Sequence, residues 1–219
     1  MTNFSIKIVS DTVCPWCYIG KKRLDRAIDL YRKTYPAAQN DTFTISWAPF
    51  YLDPSAPAVG VPLPERLVER FGPERADYIH TALTKLGREE GINFAFASRT
   101  GNTRDTHRLI QLGKTKGNDV ENRVVLELFK SYFESDGDIT SHASLISTAE
   151  KAGLTPSEVK EWLETGKGGA EVDREVRAAR MQGISGVPNF TIQGVHNVNG
   201  AQEPGVFVDL FSKIKAAER

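Results

Sequence analysis

The sequence predicts an α/β fold in which strands from both ends of the chain flank a long, wholly helical insertion. Three observations predict it. Apolar residues alternate with period two near the N-terminus and again after Gly183, whereas from Val61 to Gly183 their spacing is helical. The only two cysteines stand together where the first strand gives way to the first helix.

Phe4, Ile6 and Ile8 alternate with polar neighbours in a strand that runs into Asp11-Thr12-Val13-Cys14. Pro15 suits the first turn of a helix, where its missing N–H costs nothing, and Leu24, Ala27, Ile28 and Tyr31 give that helix an apolar stripe ending near Tyr35-Pro36. After an Asn40-Asp41 turn, Phe43, Ile45 and Trp47 alternate in a second strand that stops at Pro49. The helical block follows a Pro-rich segment and is expected to hold no strand. Its clearest helix places Val120, Val124, Val125, Leu128, Phe129, Tyr132 and Phe133 on one face and ends at Asp136-Gly137. Further helices are expected near Leu145 to Ala152, after a Thr155-Pro156-Ser157-Glu158 capping box, and over Glu171 to Gln182. Strands then return at 189–193 and 195–199 around a tight turn at Gly194. A last helix carries Val206, Phe207, Leu210, Phe211 and Ile214 on one face. The expected division is residues 1–60 with 184–219 for the sheet-bearing domain, and 61–183 for the helical one.

Composition narrows the function. Lys plus Arg and Asp plus Glu both total 28, so net charge is zero, and the isoelectric point is near 6.9. That balance makes no electrostatic case for nucleic acid or an anionic membrane. No stretch approaches the roughly 20 apolar residues that cross a bilayer. Residues 1–10 show no basic region followed by an apolar run, so the expected setting is soluble and cytoplasmic. In such a reducing compartment a lone cysteine pair is more often catalytic or metal-binding than a structural staple.

Cysteines at i and i+3 on a first helical turn share one face, close enough to open and close a disulfide with little backbone movement. Cys14, at the helix N-terminus, faces unpaired N–H groups and the positive end of the dipole, which favour a thiolate nucleophile. Cys17, one turn further in, is expected to keep its proton until it attacks Cys14 and resolves a mixed disulfide. The same spacing also fits half of a zinc site or two core thiols. A closed zinc site needs four ligands, and His80, His107, His142 and His196 are scattered without ligand spacing, so no metal is expected. Near the other end, Gly186-Val187-Pro188 precedes the returning strand, where residue statistics alone favour a trans proline.

Cys14-Pro15-Trp16-Cys17 after a first strand and Gly186-Val187-Pro188 before a later one resemble the DsbA-like branch of the thioredoxin superfamily. The strings from Asp11 to Gly20, Asn102 to Arg108 and Val198 to Pro204 more narrowly resemble its FrnE-like subgroup, across essentially the whole chain. The resemblance implies a thioredoxin fold interrupted by a helical domain. It also implies a cis Val187–Pro188 bond facing the cysteines, with Pro15, Trp16, Val187 and Pro188 forming the substrate contact. Trp16 replaces the His of the periplasmic oxidant DsbA, so a strongly oxidising centre is not implied.

Around this centre Asp11 is a candidate relay for the Cys17 proton if buried, and a solvated strand end if not. Arg104 and His107 lie on a helix that such a fold directs toward the cleft; the alternative is a helix capped by Asn102 or Thr103 with both side chains exposed. Tyr18 is expected in the core, and Trp16 is harder to bury. The expected activity is thiol–disulfide exchange through a Cys14-linked intermediate. It would act on a thiol- or disulfide-bearing protein or small molecule, with no organic cofactor, and in a monomer or homodimer. Glutathione is the candidate co-substrate. A glutathione-dependent isomerase or transferase of the 2-hydroxychromene-2-carboxylate isomerase or kappa type shares the fold, though those relatives typically carry serine in place of Cys14. A redox-regulated, chaperone-like binding protein is the non-enzymatic alternative.

Overall fold

The computed structural model describes residues 1–218. Strand β1, Asn3–Ser10, buries Phe4, Ile6 and Ile8 completely and turns the residues between them outward. Helix α1, Pro15–Thr34, opens on Pro15 and buries Leu24, Ala27, Ile28 and Tyr31, the expected stripe. Each of the larger side chains contributes roughly 1.5–3 kcal/mol of hydrophobic stabilisation. A single 3₁₀ turn, Pro36–Ala38, leads into β2, Thr42–Pro49, which pairs in parallel with β1, Phe4 beside Phe43.

The chain then enters the helical insertion. Strand β3, Val61–Pro62, is followed by α2, Leu63–Phe71, and α3, Pro73–Glu90; β4, Arg99–Thr100, pairs back on β3. This two-residue ribbon corrects the expectation of a strand-free block; so few residues carry no readable alternation. Helices α4 (Arg104–Thr115), α5 (Asn118–Phe133), α6 (His142–Lys151), α7 (Pro156–Glu164) and α8 (Gly169–Met181) complete the insertion. Helix α5 stops at Phe133, short of Asp136-Gly137, because the chain folds back there and the Gly137 N–H donates to Ser131 O at 3.1 Å. Thr155 sits at the N-cap of α7, but its hydroxyl makes no capping bond. The expected partner Glu158 instead pairs with Lys116, 2.6 Å away.

Strands β5, Asn189–Ile192, and β6, His196–Asn199, close the sheet, and α9, Pro204–Ala217, closes the chain. The hairpin loop has three residues, with Gln193 and Gly194 both at positive φ, so the strands end sooner than expected. On α9 Phe207, Phe211 and Ile214 are buried as anticipated. Val206 is exposed, and Val208 takes its place against the core.

The strand order is β2-β1-β5-β6, with β5 antiparallel to β1. This is a thioredoxin fold with a helical insertion. Helices α1 and α9 pack together beneath the sheet, where Phe4, Tyr31, Phe43 and Phe211 form one aromatic cluster with centroids 4.9–6.1 Å apart. Helix α5 lies along β2 and occupies part of its outer edge. Glu121 Oε1 accepts the Trp47 N–H at 2.8 Å, and the Asn118 and Asn122 amides donate to Ile45 O at 2.5 and 2.8 Å. The register that sets Asn189 beside Val9 also carries Val187-Pro188 to the C-terminal end of β1, where the cysteines begin.

Candidate active site

Cys14 is the N-cap of α1, in extended conformation with φ −89° and ψ 111°. Its N–H donates to Asp11 O at 3.0 Å, and the Cys17 N–H donates to Cys14 O at 3.0 Å, so the motif is the first turn of the helix itself. That turn contains no acidic residue to oppose the positive end of the helix. Both thiols are unbonded and nearly inaccessible, Cys14 with 3% and Cys17 with 0% exposure. Burial pushes the Cys17 thiol well above its ordinary range, and the adjoining Cys14 thiol adds to the shift. The Ser10 hydroxyl and the Asp11 backbone oppose it without reversing it.

Across from the motif, Val187–Pro188 is cis, and the Cys14 thiol donates to Val187 O at 3.6 Å. This approach depends on Gly20, one turn beyond Cys17. A Cβ there would lie 3.1 Å from both Pro188 Cγ and Phe190 Cζ, so the two rings would have to give by a few tenths of an ångström to admit one. Trp16, 47% exposed, projects beside Cys14 into the cleft. Tyr18 is fully buried, stacked on Phe129 at 5.1 Å with its hydroxyl donating to Glu134 at 2.5 Å.

Asp11 is 1% exposed, which corrects the solvated reading. Oδ2 accepts the Leu52 N–H at 2.8 Å, whereas Oδ1 has no hydrogen-bond partner. His107 Nε2 stands 3.5 Å from Oδ1 and 3.2 Å from Phe50 O. His107 is therefore buried behind the active-site turn, not exposed and not in the cleft. Its neighbour Thr106 grips the same turn. Thr106 donates to Thr103 O at 2.7 Å, which leaves its oxygen to accept the Thr12 hydroxyl at 2.8 Å. Arg104 does not reach the cleft: its guanidinium makes a two-pronged bond to Asp173 at 3.0 and 2.9 Å, a partner 69 residues away that local sequence could not reveal. Asn102, not Thr103, supplies the helix cap, its Oδ1 accepting the Arg104 N–H at 2.9 Å.

Three further residues shape the cleft without having been singled out by sequence. Arg66 and Arg70 of α2 both reach Asp53, at 3.1 and 3.3 Å, and bridge the insertion to the loop after β2. The Ser55 hydroxyl first, and then Arg66 and Arg70, hold the Asp53 carboxyl below its usual range against the opposing effect of burial. Between them and Cys14 lies a cavity of about 630 Å³. Among the described residues, no group of three His, Cys, Asp or Glu side chains is placed to hold a metal ion, and no helix is long and apolar enough to cross a membrane.

Known proteins are similar to this chain in sequence or fold. The YwbO protein of Bacillus subtilis is 29% identical over 208 residues, 92% of each chain. The structure of a probable DsbA oxidoreductase from Streptomyces coelicolor superposes with a TM-score of 0.83 at 27% identity, covering 96% of this chain and 89% of that one. A 2-hydroxychromene-2-carboxylate isomerase matches with a TM-score of 0.68 at 15% identity, covering 98% and 97%, a likeness of fold alone. Residues 5–212 match the model of the DSBA-like thioredoxin domain, and with nearly its whole length inside that match the chain belongs to the DsbA-like thioredoxin family.

Proposed function

We propose that this protein is a thiol–disulfide oxidoreductase working through the Cys14–Cys17 pair. One observation carries the reading. Cys14 caps a helix and faces Val187 O, while Cys17, directly behind it, is held protonated by burial. In the dithiol form Cys14 attacks a substrate disulfide, a Cys14–substrate disulfide forms, and the leaving thiolate takes a proton from solvent. Cys17 then gives up its proton and attacks Cys14 sulfur. This expels the second substrate thiol and leaves a Cys14–Cys17 disulfide, so two electrons pass to the substrate. The reverse sequence oxidises a dithiol substrate.

The remaining roles follow from placement. Pro15, Trp16, Val187 and Pro188 frame the position of the incoming sulfur. Asp11 Oδ1, buried and unpartnered, serves as acceptor or relay for the Cys17 proton, with His107 steadying it from behind. No organic cofactor is required, and the cytoplasm is the proposed setting, with glutathione one available thiol partner. The isomerase-like fold admits a glutathione-dependent transferase or isomerase, but a cysteine at position 14 with a second thiol behind it favours dithiol exchange.

Exchange with a model disulfide peptide by wild type, Cys14→Ser and Cys17→Ser tests this. Cys14→Ser is expected to be inactive, and Cys17→Ser to accumulate a peptide adduct visible by intact mass. Full activity in Cys14→Ser would overturn the reading.

A further inference from the structure

The loop that follows β6, within the string resembling the FrnE-like subgroup, takes no part in the exchange itself but is bonded to the loop that does. The Gly200 N–H donates to Pro188 O at 2.8 Å, and Asn199 Oδ1 accepts from the Asn189 amide at 2.5 Å. Ala201 meets α1, its Cα 3.5 Å from where a Cβ of Gly20 would stand. A shift of residues 200–203 is therefore passed through the Gly200 bond to Val187-Pro188, which faces Cys14.

One side chain fixes these residues. Arg23, on the helix that bears the cysteines, donates from Nη1 to Ala201 O at 2.7 Å and pairs with Glu203 at 2.7 Å. Its Nε donates to Glu90 Oε1 at 2.7 Å, and Arg26 Nη2 stands 3.0 Å from the other oxygen. The Arg23 side chain is 11% exposed and that of Glu90 only 3%. Glu90 is the last residue of α3, whose Ile79, Leu83 and Leu86 line the cleft. A buried carboxylate there is opposed both by desolvation and by the negative end of its own helix, so the stability of α3 does not account for it. The guanidinium does. Its planar fork satisfies such partners in one orientation, and on it meet the cysteine helix, the cleft wall and the loop bonded to Pro188.

We infer that Arg23 is a positioning residue for the exchange, holding the Val187 backbone at the distance from Cys14 at which an extended peptide can pair beside its disulfide. The inference rests on the dithiol reading above and adds no chemical step to it. Cys14 still attacks sulfur when Val187 is out of register, but a substrate with a peptide backbone loses the contact that aligns it, and a substrate without one loses nothing.

The test uses full-length Cys17→Ser protein, which retains the Cys14 adduct, with a model disulfide peptide and 2-hydroxyethyl disulfide as probes. Adduct formation is followed by intact mass. Adding Arg23→Met is expected to slow the peptide about tenfold or more, the scale of a lost charge-assisted hydrogen bond, and to leave 2-hydroxyethyl disulfide within about twofold. Arg23→Met with Glu90→Gln leaves no unpaired carboxylate in the interior; it should show the same selective loss and serves if the single variant does not fold. Amide exchange gives the structural readout: the Gly200 N–H should exchange about tenfold faster in either variant while the β1 amides keep the parental rate. A common change on both probes, or a Gly200 amide exchanging at the parental rate, would overturn the positioning role while leaving disulfide exchange standing. Loss of the fold in both variants would make Arg23 structural and overturn it too. No Cys14 adduct with either probe in the parent would overturn both readings.

Discussion

Two aspartates stand at opposite ends of the central strand β1, and their surroundings differ. Asp41, beside the start of the strand, has both oxygens engaged: Oδ1 accepts the Thr2 N–H at 2.8 Å, and Oδ2 accepts from the Tyr31 hydroxyl at 3.0 Å and from Lys215. Burial opposes its ionisation, but Lys215, Thr2 and Tyr31 together outweigh that and hold the carboxyl below its usual range. Asp11, just past the other end, is as deeply buried yet keeps Oδ1 without a hydrogen bond, 3.5 Å from His107 Nε2 on the turn that leads to the cysteines. A saturated carboxylate anchors a fold. One with an oxygen free of hydrogen bonds can still accept one, which suits the relay role proposed for Asp11.

The contrast can be broken from either end. The largest expected effect is on stability: Asp41→Ala strands Lys215, the Tyr31 hydroxyl and the Thr2 N–H, and should cost about 3 kcal/mol in urea unfolding at neutral pH. Because the folded carboxyl titrates below its unfolded value, this contribution is present above the ordinary aspartate range and disappears as pH falls through the folded value. The gap between wild type and variant should therefore close in acid. Asp11→Asn preserves an acceptor for Leu52 and should alter stability by less than about 1 kcal/mol, while slowing Cys17-dependent release of the mixed disulfide about 100-fold. Comparable stability losses at the two sites would erase the distinction. Thr106→Val, which removes the grip on Thr12, should cost about 1 kcal/mol, measured by thermal unfolding of the reduced protein.

The smallest effect concerns alkaline pH. Cys17 is raised in the folded state, so its contribution is complete below the unfolded thiol range and is lost as pH rises through the folded value. The reduced wild type should lose stability from about pH 8.5 upward faster than Cys17→Ser. Parallel profiles would show that the thiol is not held protonated.

What sequence could disclose follows the range of the interaction that fixes it. The strand alternation in 4–8, the stripe of α1 and the cysteine pair depend on near neighbours and are where they were expected. The cis bond at Pro188 was legible only through resemblance. Long-range pairing decided the rest. Arg104 turned away because Asp173 arrives from α8, and Asp53 became a latch because α2 brings two arginines to it. His107 sat in a motif that marked it, but its place behind Asp11 required the packing of α4 on the active-site turn. Gly20 gave no signal, since a glycine in a helix announces neither the proline nor the phenylalanine pressed against it.

The polar side chains of α5 along β2 bear on a different hazard. A strand edge with free N–H and C=O groups is a template on which a second molecule can add its own strand, the first step of aggregation. Glu121, Asn118 and Asn122 occupy those groups at Trp47 and Ile45, so the helical insertion that walls the cleft also covers part of the β2 edge of the sheet. Local opening of α5 would uncover the Phe43–Trp47 stretch, rich in β-forming residues, which makes that helix the place where loss of order turns into self-association.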